Sequence, residues 1–104
     1  MARVIMEQSF AEPMSDEALS DFAKRVDPCL DLRDGTWARS YLSNDRRRMV
    51  CEFEAPDAEA VREALRSAGI AFDRVWSTQM FDASDYPDLA EKLRQVREKL
   101  AKRG

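Results

Sequence analysis

TWARSYLSNDRRRMVCEFEAPDAEAVREALRSAGI, residues 36–70, reads as strand, turn, strand, capped helix and helix stop with no residue left over. Thr36 to Ser43 is a strand. Simple alternation places Trp37, Arg39 and Tyr41 on one face and Ala38, Ser40 and Leu42 on the other. Asn44 and Asp45 tolerate left-handed backbone angles and supply the turn. Arg47 to Glu54 returns as the antiparallel partner, with Met49, Cys51 and Phe53 opposed to Arg48, Val50, Glu52 and Glu54. Pro56 ends the hairpin. Asp57 caps a helix whose buried stripe is Val61, Ala64, Leu65 and Ala68. Gly69 is expected in the left-handed conformation that closes it, with Ile70 folding back on Leu65.

Upstream, Val4 to Phe10 is a β-prone run, broken at Ala11–Met14 by Pro13. Ser15 caps a helix with Asp16 and Glu17 in its first turn and Leu19, Phe22, Ala23 and Val26 along one face. Pro28 is expected to stop it, leaving Cys29–Gly35 as a loop. Downstream, Phe72–Phe81 is a fourth strand carrying Val75, Trp76 and Met80. Ser84 or Asp85 then caps a terminal helix opened by Pro87, with the stripe Leu89, Leu93, Val96, Leu100 and a basic end.

The order β-α-β-β-α-β plus a C-terminal helix predicts an α+β, ferredoxin-like domain with a four-stranded antiparallel sheet. It reads as a single domain over 1–104, with a core at 3–81 and the terminal helix at 85–102. Two helices cover one face of such a sheet. Apolar residues fall on both faces, so the second face calls for another layer. The terminal helix or a second subunit could supply it; a homodimer with sheets face to face, a dimeric α/β barrel completed by the terminal helix, is the expected assembly.

Composition narrows function by exclusion. Seventeen basic and 20 acidic residues give a net charge of -3, mixed along the chain, with no positive field for nucleic acid. Arg46-Arg47-Arg48 is diluted by Asp45, Glu52 and Glu54. No run is long enough to span a bilayer, and MARVIMEQSF carries Glu7 inside its apolar stretch, unlike an export signal. A cytoplasmic protein with free thiols at Cys29 and Cys51 is the expectation. There is no histidine, phosphate loop or nucleophile with its base.

Three motifs resemble a small bacterial ferredoxin-like family of unknown function, some members of which are described as nickel-binding. The first is W-x-R-S-Y-x-S-x-D at Trp37, Arg39, Ser40, Tyr41, Ser43 and Asp45. The second runs from Cys51 and Phe53 through Glu54-Ala55-Pro56-Asp57 to Glu59-Ala60-Val61-Arg62-Glu63-Ala64. The third is Gly69, Ile70, Asp73, Arg74 and Val75. The match covers roughly residues 3 to 77; the terminal helix is an addition. The resemblance implies the fold, a dimer and, in some members, a transition-metal site. Histidines that members often carry have no counterpart here, and imidazole is a leading nickel ligand, so no metal ligands are assigned.

The candidate ligand-binding residues are Trp37, Arg39, Tyr41, Asp45 and Cys51. An indole, a guanidinium and a phenol on one strand face could grip a small anionic ligand, or could pack a dimer. Cys51 without a basic partner reads as a buried thiol rather than a nucleophile. Asp73-Arg74 reads as an ion pair, and Trp76 needs a partner for its indole N–H. These observations favour a non-enzymatic ligand-binding or accessory protein. The alternatives are an enzyme of the dimeric α/β-barrel type acting on a small organic substrate, and a metal-binding protein using Asp, Glu and Cys alone. The enzyme reading requires a closed pocket in which two of Arg39, Tyr41, Asp45 and Cys51 converge.

Overall fold

The computed structural model describes residues 1–103. The elements are β1 (Ala2–Ser9), α1 (Asp16–Asp31), β2 (Thr36–Leu42), β3 (Arg48–Ala55), α2 (Ala58–Ser67) and β4 (Arg74–Thr78), then a 3₁₀ turn (Ala83–Asp85) and α3 (Pro87–Arg103). The sheet order is β2-β3-β1-β4, antiparallel throughout. This is the expected α+β, β-α-β-β-α-β arrangement with an added helix.

The apolar side chains of alternate strand positions meet the two helices on one face. Val4 and Met6 of β1, Met49, Cys51, Phe53 and Ala55 of β3, and Val75 of β4 are buried with Phe22, Val26 and Leu30 of α1 and Val61, Ala64 and Leu65 of α2. Gln8 is buried on the same face; its amide donates to the Ala71 carbonyl at 2.7 Å, and its Oε1 has no partner.

Helix ends follow local chemistry. Ser15 Oγ accepts from the Ala18 N–H, and Asp57 accepts from the Ala60 N–H at 2.8 Å. Gly69 has φ +71°, and the Gly69 and Ile70 N–H groups reach back to the Arg66 and Leu65 carbonyls, the double bond of a Schellman stop.

Several expectations are corrected. Pro28 does not stop α1, which continues to Asp31. Leu30 is 1% exposed, and its burial holds the last turn in place despite the missing Pro28 N–H. Cys29 is therefore helical. The left-handed residue of the hairpin loop is Arg46, φ 62°, rather than Asn44 or Asp45. Its guanidinium donates to the Met14 carbonyl at 2.5 Å and to Asp16 at 2.6 Å, and its carbonyl accepts from the Met14 N–H. Contacts with the β1–α1 loop thus select a conformation that local preference would not. Ser84 and Asp85 form a 3₁₀ turn with its own cap, Asp82, which accepts from Ser84 while Asp85 accepts from the Asp82 N–H, and α3 begins after it at Pro87. Asp73 is bonded by Ser9 Oγ at 2.7 Å, not by an arginine.

α3 packs chiefly against the 3₁₀ turn and leaves the sheet uncovered. The radius of gyration is 16.1 Å, against about 13 Å for a compact chain of this length.

Candidate functional site

The register places the candidate residues, beginning with an irregularity in β2. Trp37 pairs with Phe53 and Arg39 with Glu52, so two steps on β2 answer one on β3. The extra residue, Ala38, is a β-bulge, and it breaks the alternation. Trp37 consequently lies on the helix-covered side, with Ser40 opposite Cys51 and Leu42 opposite Met49. Arg39 and Tyr41, opposite Glu52 and Val50, lie on the open side. The expectation that Trp37, Arg39 and Tyr41 share a face is therefore corrected. A bulge without glycine leaves no mark in sequence.

On the covered side a groove opens between α1 and the edge strand β2. Its volume is about 600 Å³, within the range of organic-ligand sites. Leu19, Phe22 and Val26 of α1 form one wall; Leu42, Met49 and Phe53 form the floor. Trp37 stands at the mouth, half exposed, with Ser20, Lys24 and Asp27 on the α1 rim. Trp37 Nε1–H donates to Ser40 Oγ at 2.9 Å, and Ser40 Oγ–H donates to Cys51 Sγ at 2.9 Å. This chain orients the indole and satisfies its polar atom, leaving the ring's apolar surface to the groove.

Cys51 lies beneath this chain, fully buried. Burial pushes its thiol up to about 11, partly offset by the Ser40 hydrogen bond. At neutral pH it is a protonated thiol and a poor nucleophile. Asp45 lies in the hairpin loop, its carboxyl held below the ordinary value by the Ser43 hydroxyl first and the Arg47 N–H second. It is not among the residues that line the groove. Of the five candidates, only Trp37 lines the groove, so the convergence required by the enzyme reading does not occur there.

The open face carries Ile5, Tyr41, Val50 and Trp76 among charges. Glu52 accepts from Arg3 at 2.5 Å and lies 3.6 Å from Arg39, so both guanidiniums share one carboxylate. Trp76 Nε1–H donates to Glu7 at 2.9 Å, which supplies the partner its indole requires. Among the described residues, no three His, Cys, Asp or Glu side chains come together to hold a metal ion. No helix among them is long and apolar enough to cross a membrane.

Sequence reasoning placed Leu19 and Phe22 on one helical face and Met49 on an apolar strand face, without a groove between them. Hydrophobic periodicity cannot separate a residue packed against protein from one lining a groove.

Residues 5–77 match the family described as nickel responsive protein SCO4226-like. No curated protein sequence matches the chain. The fold is similar to that in the crystal structure of SCO4226 from Streptomyces coelicolor A3(2), with a TM-score of 0.71 and 15% sequence identity over 78% of this chain and 100% of that one. At such identity the similarity speaks for the fold alone.

Proposed function

The chain belongs to the SCO4226-like family, and from that premise we propose that it is a non-enzymatic binding protein whose site is the apolar groove between α1 and β2. The observation that carries this reading is the groove itself. It has the volume of a binding site and an almost wholly apolar lining, and its one internal hydroxyl is already engaged by Trp37 and Cys51. Such a lining favours an uncharged, apolar occupant. Its interior offers no general base and no ionised nucleophile, the charged groups Lys24 and Asp27 standing on the rim.

The family description speaks of nickel responsiveness. The donor set of this chain does not fit a nickel ion. It has no histidine, and its described carboxylates and thiols do not converge. The reading therefore contains no metal step.

The test is titration with Nile red, an uncharged apolar dye, at protein concentrations low enough to disperse self-association. Wild-type protein should enhance and saturate its fluorescence. Ala23→Trp, which fills the groove from the exposed side of α1, should weaken binding at least tenfold. Equal binding by the two proteins would remove the groove from consideration.

A further inference from the structure

α3 lies beyond the stretch shared with the family, residues 5–77, and its apolar stripe is largely uncovered within its own chain, Leu93 alone being half-buried, toward the 3₁₀ turn. Tyr86, Leu89, Leu93, Val96 and Leu100 follow 3-4-3-4 spacing. Leu89, Val96 and Leu100 are 54%, 43% and 59% exposed. A helix of this kind gains most of its stability by burying such a stripe. The accessible surface of the chain is 7439 Å², whereas a compact monomer of its mass exposes about 6,000 Å². The excess, on the order of 1,400 Å², exceeds the roughly 800 Å² that each partner contributes to a standard interface.

Charge selects the cover. Residues 89–103 hold six basic and two acidic side chains, and the rest of the chain holds eleven basic and eighteen acidic. Lys92 and Lys99 flank the stripe, while Arg97 is turned toward Asp82 of its own chain, so two α3 helices laid together would set like charges against each other. The open sheet face carries Arg3, Arg39, Arg48 and Arg74 against Glu7, Glu52 and Glu54, a slightly basic balance that does not attract α3. α1 has five acidic and two basic residues. Its Asp27 lines the groove beside Lys24, and neither Asp27 nor Asp31 has an ion-pair partner among the described residues. Length agrees as well. The stripe from Leu89 to Leu100 and the α1 wall from Leu19 to Leu30 are each eleven residues apart, about 16 Å along a helix.

We infer that the groove between α1 and β2 receives α3 of a second copy of this chain, exchanged reciprocally about a two-fold axis. The inference rests on the groove being the binding site and names its occupant. Leu89, Leu93, Val96 and Leu100 sit against Leu19, Phe22, Trp37 and Leu42 of the partner copy. Lys92 and Lys99 face the acidic side of α1. The occupant is a helix of the same chain, apolar and with basic flanks.

The experiment measures mass against concentration by light scattering, with Nile red binding recorded in parallel on the full chain. Wild type should be a dimer. Leu89→Glu with Val96→Glu, both exposed in the isolated chain, should give a folded monomer with several-fold greater Nile red enhancement as the groove empties. Lys92→Glu with Lys99→Glu should weaken association at least tenfold. Adding Asp27→Lys and Asp31→Lys should restore it, because the reversed charges face each other only if α3 meets α1. A monomeric wild type, a dimer indifferent to the glutamates in α3, or a charge reversal without restoration would overturn the inference. If the dimer ignores α3 while Ala23→Trp still abolishes dye binding, the groove stands and its occupant falls. If the monomeric variant binds dye equally with and without Ala23→Trp, the groove reading itself falls.

Discussion

Cys51 shows how one residue type changes meaning with its surroundings. Its thiol ionises near 11 in the folded protein, against an ordinary value of 9.0, because burial disfavours the thiolate. The folded state therefore keeps a proton that the unfolded chain releases. Stability from this group is intact below about pH 9 and declines as pH rises toward 11, at about 1.4 kcal/mol per pH unit. Urea melts at pH 8 and pH 10.5 should show this loss, and Cys51→Ala should remove that part of the slope. A thiol reagent at neutral pH should modify Cys29, which is partly exposed, well before Cys51. Arg46 is the second residue whose role is set by contact. Arg46→Ala removes the bonds to the Met14 carbonyl and Asp16 and keeps the left-handed backbone, so a loss of about 1–3 kcal/mol is expected. Arg46→Gly loses the same bonds but relieves the backbone, so its chemical denaturation midpoint should fall less.

At the scale of elements, α1 and β2 build the groove, and each contains a departure from the simplest pattern. In α1 that departure is Pro28, which lacks the N–H that would bond the Lys24 carbonyl. Pro28→Ala restores a donor in the last turn. The gain exceeds the 0.4–1 kcal/mol that proline contributes by restricting the unfolded chain, so a net stabilisation of about 1 kcal/mol is expected in thermal melts. In β2 it is the bulge at Ala38, which turns Trp37 onto the covered side while Arg39 and Tyr41 stay on the open one. At the end of α2, Gly69 holds φ +71°. Gly69→Ala should cost about 1–2 kcal/mol, because a Cβ crowds the following carbonyl in that conformation. No change in denaturation midpoint would show that the stop relaxes elsewhere.

For the whole molecule, the unresolved balance is between a compact body and a helix that stands off it. The body is acidic and carries the groove; α3 is basic and carries an exposed stripe. Separation of charge and apolar surface in this way favours association between copies, and high salt should weaken it as screening shortens the reach of the charges. The same scale governs metal binding. A ligand that binds only the folded state raises the melting temperature. Because the described donors do not converge, nickel at millimolar concentration should leave the melting temperature within error of the chelated protein. A rise of several degrees would reveal donors brought together by assembly.

The order of elements, the hairpin, the Ser15 and Asp57 caps and the Gly69 stop were all legible in residues, because each rests on contacts within a few positions along the chain. The covered face of β3 was legible for the same reason: Met49, Cys51 and Phe53 alternate without interruption. The site was legible only in Trp37. Nothing local marks Ala38 as a bulge, Arg46 as left-handed or Leu30 as the anchor that carries α1 past Pro28. Each is decided by a partner distant in sequence: the β3 register, the Met14 carbonyl and the core beneath α1. Periodicity established that Leu89, Leu93, Val96 and Leu100 form a stripe, and only the tertiary structure showed that their own chain leaves it largely bare, since burial belongs to the packed molecule and not to the spacing of its residues.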